Sequence, residues 1–283
     1  MKVDVDDSAG FCFGVVKAIE TAEKHLAEQD ALLCLGQMVH NETEMTRLKR
    51  NGLKTIQHTD LSKYSGRQVL VRAHGESPET YRKASESQVS LIEATCPIVL
   101  KLQQRIAKHD PDKVQIVIFG KKNHPETIGL NGQIANRGII VESEKDIDKI
   151  DYSKNVVLYS QTTMDSEAFE ALRDQIQSNM RNNASFKSHN TVCGQMKRRK
   201  PALIEFVKQH DVILFVSGKH SSNGRFLFHT AKQHQPETYM IGAKSDIDPA
   251  WLKGAERIGI SGATSTPAWL LQEIAQHVKT LMA

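Results

Sequence analysis

The sequence predicts an α/β protein with mostly parallel sheets. Three observations lead there. Short apolar runs rich in β-branched residues recur along the whole chain, stretches with helical spacing separate them, and the runs end on small polar or imidazole side chains. Strands of four to eight residues alternating with helices are the pattern of parallel sheets with helical crossovers.

In chain order, the first helix is predicted over 14–29, where Val15, Ile19, Ala22 and Leu26 fall on one face at i, i+4, i+7 and i+11. The strand "ALLCLG" (31–36) follows and leads through "QMVHN" to His40 and Asn41. The strand "QVLVRAHG" (68–75) ends in His74. In "EATCPIVLKLQQRIAKHD" a helix is predicted from Pro97, because proline suits the first helical position, and Cys96 then occupies the cap. "VQIVIFG" (114–120) leads to His124 and Glu126, "GIIVES" (138–143) is a further strand, and "NVVLYSQTT" (155–163) ends in Thr162 and Thr163. Cys193 in "NTVCGQM" precedes the helix "ALIEFVKQH". "DVILFVSG" (211–218) leads to Ser221, Ser222 and Asn223, "TYMIG" (238–242) follows, and "RIGISGATS" (257–265) ends in Ser265. Polar patches near 144–155 and 179–192 are the expected joints.

Ligands of open α/β sheets bind beyond the carboxyl ends of the strands. Each Ser, Thr or Asn there is explained on its own as a helix cap. Three histidines, at 40, 74 and 124, exceed what capping needs and point to a ligand.

Length and composition narrow the class. The 283 residues suit one large domain or two to three small ones, with 39% hydrophobic and 25% charged residues as in ordinary soluble proteins. No apolar run approaches the ~20 residues needed to span a bilayer. The start "MKVDVDDSAG" lacks the apolar centre of a signal peptide, so a cytoplasmic, membrane-free protein is expected. A net charge of +4 permits an anionic ligand without demanding nucleic acid. The basic run "KRRK" at 197–200, in a chain with 6% aromatics, reads as a solvated helix face. Neither a G-x-x-x-x-G-K-[ST] loop nor a G-x-G-x-x-G fingerprint is present.

The four cysteines, at 12, 34, 96 and 193, form no Cys-x-x-Cys pair. In a reducing compartment they are free buried thiols, a catalytic nucleophile, or ligands drawn from distant segments. Cys12, Cys96 and Cys193 each stand where a loop turns into a helix, where unpaired N–H groups and the helix dipole favour a thiolate. A small buried hydrophobe is the competing reading of Cys96. Cys34, inside "LLCL", is expected in the core. Three thiolates without a local fourth suit an iron–sulfur cluster with one open iron, which acts as a Lewis acid.

Eight pieces in order, "GFCFGV" (10–15), "VHN" (39–41), "AHG" (73–75), "ATCP" (94–97), "HPE" (124–126), "SQTT" (160–163), "SSN" (221–223) and "STP" (265–267), resemble the 4-hydroxy-3-methylbut-2-enyl diphosphate reductase family over nearly the whole chain. The resemblance implies a trefoil of three α/β subdomains around a central cluster. They would span 14–96, 97–192 and 193–283, the last completed by 1–13. It implies a 4Fe–4S cluster held by Cys12, Cys96 and Cys193, with one iron not ligated by cysteine. It matches His40, His74, His124, Ser221, Asn223 and Ser265, with Ser222 beside them, to the diphosphate-binding group. Glu126 matches the proton-delivering carboxylate and Thr162 its hydroxyl partner, with His124 next to them in the catalytic group. The implied reaction is reductive dehydroxylation to isopentenyl and dimethylallyl diphosphate, with electrons from a ferredoxin or flavodoxin-type donor.

The chain also departs from the family pattern. Where Pro-Arg-Gly-Phe-Cys-Ala-Gly is usual it reads Ser8-Ala9-Gly10-Phe11-Cys12-Phe13-Gly14. After the third cysteine Met196 replaces a threonine and Lys200 a glutamine, Pro201 follows, and "TIGLNG" stands after "HPE". These changes motivate an alternative, a paralogue acting on a different small anionic substrate. A non-enzymatic iron–sulfur sensor ranks last, because it has no use for an acid such as Glu126.

Overall fold

The computed structural model describes residues 2–181 and 183–281. Its strands are β1 (Lys2–Val5), β2 (Leu32–Leu35), β3 (Leu53–Ile56), β4 (Gln68–Val71), β5 (Ser90–Glu93), β6 (Gln115–Phe119), β7 (Ile139–Val141), β8 (Val156–Ser160), β9 (Phe186–Ser188), β10 (Val212–Val216), β11 (Thr238–Ile241) and β12 (Arg257–Gly262). The helices are α1 (Phe13–Glu28), α2 (Glu42–Arg50), α3 (Pro78–Glu86), α4 (Pro97–Ile106), α5 (Pro125–Gly132), α6 (Ser166–Asn179), α7 (Gly194–Val207), α8 (Ser222–His234) and α9 (Ala268–Leu281). Three four-stranded sheets result, in the orders β1-β12-β10-β11, β3-β2-β4-β5 and β7-β6-β8-β9, and the paired strands in each register run parallel. This is the α/β class with parallel sheets that the alternating pattern predicts.

All eight expected strands are present. The four that the sequence reading passes over, β1, β3, β5 and β9, each lie at a sheet edge. An edge strand is covered on fewer sides and needs no continuous apolar run, so Ser90–Glu93 and Phe186–Ser188 carry no such signal. β9 lies inside 179–192, so that patch is part of a sheet rather than only a joint.

The chain divides into two compact units. One holds the residues up to Leu32, Gln37–Lys54 and the chain from Arg198 onward; the other holds Leu33–Gly36 and Thr55–Lys197. In the first unit β10 shows why its strand reads as an unbroken apolar run. Val212, Leu214 and Val216 face Leu270, Leu271, Ile274 and Val278 of α9. Ile213 and Phe215 point the other way, onto Leu203 and Val207 of α7 and Leu227 and Ala231 of α8.

The second unit repeats this plan on β6 and β8. Val117, Phe119, Val156 and Leu158 pack against Phe169, Leu172 and Ile176 of α6. Ile116, Ile118, Val157 and Tyr159 pack against Leu102 and Ile106 of α4 and Leu130 and Ile134. Leu33, Leu35 and Val69 meet Leu61, Ala84 and Val89 in a further core.

The basic run at 197–200 is not the solvated face expected of it. Lys197 and Arg198 are exposed, but Arg199 is buried. Its Nη1 donates to Asp6 Oδ2 at 2.8 Å and to the Ser8 hydroxyl, and its Nη2 to Ser261 Oγ at 2.7 Å and the Gly262 carbonyl at 3.0 Å. A guanidinium can enter a core when its donors find such a fork of acceptors. α7 also runs on through Pro201, which is exposed, as is Lys197 one turn before it.

Candidate functional site

In the second unit the site grows from the carboxyl ends of β4, β6 and β8. β6 and β8 pair with Phe119 opposite Ser160, so the loops that follow them emerge side by side. Beyond β6, His124 caps α5 and its Nδ1 accepts the Glu126 N–H at 3.2 Å. Pro125 holds the first helical position, where its missing N–H costs nothing.

Glu126 is thereby turned inward and is 1% exposed. Its Oε1 accepts the Thr162 N–H at 2.7 Å, and its Oε2 the Thr162 hydroxyl at 2.9 Å. Burial lifts the carboxyl to about 7, against those two donors, which pull it down. A carboxyl so placed takes up and releases its proton near neutral pH rather than in the usual carboxylate range. His74, beyond β4, sets its ring edge-on to that of His124 with centroids 5.2 Å apart.

Gln161 locks the adjoining loop. Its Oε1 accepts from Thr127 Oγ1 and Lys121 N–H, both at 3.1 Å, and its Nε2 donates to Thr163 Oγ1 at 2.6 Å. Gly120 makes room for it, since a Cβ there would lie 2.8 Å from Thr127 Oγ1.

In the first unit the loops after β10 and β12 meet, because these strands pair with Val216 opposite Gly262. Ser221 caps α8 by accepting the Gly224 N–H at 3.0 Å, and its hydroxyl lies 3.2 Å from that of Ser265. Asn223 Nδ2 donates to Thr264 Oγ1 at 2.6 Å, while Asn223 Oδ1 is buried with no hydrogen-bond partner among the described residues. Ser222 is half-buried in the first turn. His40 is half-buried beside Asn41, which caps α2 by accepting the Glu44 N–H at 2.9 Å. Thr264 and Gln161 escaped the sequence reading, although both lie inside strings it singled out, "RIGISGATS" and "SQTT".

The cysteines stand where the helix boundaries predict. Cys12 caps α1 with its N–H on the Thr264 carbonyl at 3.3 Å; Cys96 caps α4 with its N–H on the Ala73 carbonyl at 3.0 Å. Cys193 N–H donates to the Thr162 carbonyl at 2.8 Å, just before α7. Cys34 is fully buried, and burial pushes its thiol up to about 12.

Two expectations are corrected here. Burial raises the Cys96 thiol, against the Ile98 and Val99 N–H groups that lower it, and the negative charges of Cys193 and Glu126 raise it further. Desolvation outweighs the helix head, so Cys96 is not the low-pKa thiolate expected. The expected cofactor, a 4Fe–4S cluster held by Cys12, Cys96 and Cys193 with one iron free of cysteine, is also corrected. Among the described residues the side chains placed so that they could hold a metal ion are histidines, and none of the three cysteines is among them. The N–H of each cysteine is held by a carbonyl of a separate strand-end loop, at Thr264, Ala73 and Thr162, and a shared type of position does not by itself make a ligand set.

Residues 3–279 match the LytB protein family. The chain belongs to the LytB family. Among curated relatives of this LytB-family chain, the 4-hydroxy-3-methylbut-2-enyl diphosphate reductase of Bacteroides fragilis is 44% identical over 283 residues, covering 99% of this chain and 98% of its own. That of Bacteroides thetaiotaomicron is 43% identical over 286 residues, with 100% and 99% covered. Among solved structures, the E-1-hydroxy-2-methyl-but-2-enyl-4-diphosphate reductase of Plasmodium falciparum aligns with a TM-score of 0.85 at 27% identity, over 97% of this chain and 87% of that one. A second, an (E)-4-hydroxy-3-methyl-but-2-enyl diphosphate reductase described as the terminal enzyme of the non-mevalonate pathway, aligns at 0.74 with 31% identity over 99% and 100%. The LytB-family chain has, among its described residues, no helix long and apolar enough to cross a membrane.

Proposed function

We propose that this LytB-family chain is a reductase acting on a small anionic diphosphate, with 4-hydroxy-3-methylbut-2-enyl diphosphate as the substrate its relatives name. The observation that carries the reading is Glu126, a buried carboxyl lifted to about 7 and bonded twice to Thr162. Removing an allylic hydroxyl as water takes two electrons and two protons. The Thr162 N–H pins one carboxyl oxygen, and the hydroxyl bond on the other can reverse when Glu126 is protonated. Glu126 then donates to Thr162 Oγ1, whose own proton passes to the hydroxyl, which leaves as water; the two electrons remain on the allyl fragment, which takes the second proton from solvent at either end.

His74 and His124 in one unit, and His40, Ser221, Ser222, Asn223 and Ser265 in the other, are donors of the kind a diphosphate takes without a phosphate loop. Electrons come from a reduced donor of the ferredoxin or flavodoxin type in the cytoplasm. No step of this scheme runs through the three cysteines.

A second reading, a different small anionic substrate, is supported by α7. Met196 is buried where the family pattern has a threonine hydroxyl, and Lys200 stands where it has a glutamine. The deciding experiment is anaerobic incubation of the purified protein with 4-hydroxy-3-methylbut-2-enyl diphosphate and a reduced viologen dye. Dye oxidation with formation of isopentenyl and dimethylallyl diphosphate is expected. Glu126→Gln is expected to lower the rate by a factor on the order of 10²–10⁴, the usual worth of a positioned acid. Silence with this substrate, alongside turnover of another small diphosphate, selects the second reading.

A further inference from the structure

Gln103 is 4% exposed on α4, a polar side chain in an otherwise apolar helix face. Its Nε2 donates to the Glu76 carbonyl at 3.1 Å. The same carbonyl accepts from Gln133 Nε2 at 3.3 Å, and Gln133 also holds the Gly129 carbonyl at 3.0 Å. One backbone oxygen, two residues after His74, is therefore gripped by amides from α4 and from the end of α5.

The neighbouring glycines are shaped around this grip. Gly75 has φ +69°, and a Cβ on it would lie 2.7 Å from Gln103 Nε2 and 2.9 Å from Thr95 Cγ2. A Cβ on Gly129 would lie 3.1 Å from the same nitrogen and 3.6 Å from the Gly75 carbonyl oxygen. Thus α5 lies with its glycine directly on the 75–76 backbone, and the Gln103 amide fills the gap between them. Gly129 is three residues after Glu126, one helical turn, and His124 caps the same helix.

We infer that Gln103 is a positioning residue: its amide sets the loop bearing His74 against the helix bearing His124 and Glu126. The inference rests on the reading of His74 and His124 as anion donors. The edge-on pair of imidazoles, 5.2 Å apart, is carried on these two backbones, so its spacing follows theirs.

The test uses the full chain. Gln103→Met keeps the volume and removes the donor, and Gln133 still serves the Glu76 carbonyl, so no acceptor is orphaned. Two quantities are read: the imidazole NMR resonances of His74 and His124 in ligand-free protein, and the affinity for inorganic pyrophosphate by calorimetry. The expected result is displaced resonances for both histidines with an unchanged unfolding temperature, and an affinity lower by about tenfold because the two donors no longer hold their spacing. Gln103→Glu, which turns an acceptor toward the carbonyl, is expected to lose more. Unmoved imidazole resonances in Gln103→Met overturn the inference, as does an affinity within about twofold of the parent. If the parent itself takes no pyrophosphate, the anion-donor reading fails, and the resonances alone decide the positioning role: displaced supports it, unmoved overturns it.

Discussion

At Glu126 burial couples the protonation of a single carboxyl to stability. Its ordinary value is 4.5 and burial lifts it to about 7 in the folded chain. As pH rises between these values the unfolded chain sheds its proton first, so the folded state binds more protons and loses stability. The loss amounts to about 3 kcal/mol above pH 7 by the usual conversion of pKa shift to free energy. Glu126→Gln cannot ionise and escapes this cost. Its unfolding free energy in urea is therefore expected to exceed that of the parent at pH 8 and to match it near pH 4.5; equal values at both would show that the carboxyl is not held protonated by burial. In the proposed reaction the same proton sets the activity profile. Turnover is expected to fall as pH rises through about 7, because the carboxylate has nothing to donate. Position 126 could be marked as an acid from "HPE", but its proton affinity could not, because burial sets it, against the two Thr162 donors that the pairing of β6 with β8 brings alongside.

At the scale of the element, the helix heads do the positioning. α8 is seated by Ser221 on the Gly224 N–H, and Gly224 packs so closely that a Cβ there would collide with the Ser217 hydroxyl and lie 3.0 Å from the Ser221 Cβ. Gly224→Ala is expected to cost about 1–3 kcal/mol by overpacking, read from the urea midpoint at constant slope. It should also displace Ser221 from Ser265, whereas Lys219→Ala, at an exposed site in the preceding loop, should leave stability within about 0.5 kcal/mol. Caps and proline positions are local chemistry, so the starts of α1 and α4 were legible in the string. The cysteine heads were legible as positions only. What a thiol does there follows from desolvation, and at Cys96 desolvation prevails.

For the molecule as a whole, one unit is closed by the two ends of the chain. β1 pairs with β12, and Arg199 ties Asp6 across 193 positions of sequence. Both partners of this ion pair are 4% exposed. Arg199→Ala leaves Asp6 buried without its charge partner and is expected to cost about 3–5 kcal/mol. Replacing both, as Asp6→Asn with Arg199→Met, should cost less than the single change, because no charge is then stranded. Equal losses in the two proteins would mean that packing, not charge, is what Arg199 supplies. Nothing in "KRRK" distinguishes its third residue from the others; the acceptors that draw Arg199 inward lie at Asp6, Ser8, Ser261 and Gly262.

The amino-acid order by itself determined the alternation of buried strands and helices, the donors at the strand ends and the placing of three cysteines at helix heads. All three follow from short-range rules of periodicity, capping and dihedral preference. Tertiary structure alone decided which groups are charged and which meet: the raised Glu126, the protonated tendency of Cys96, the inward Arg199, the edge strands, and a metal-capable group of histidines instead of cysteines. The physical reason is that charge state and ligand sets depend on desolvation and on partners tens of residues away, and neither is present until the sheets have paired.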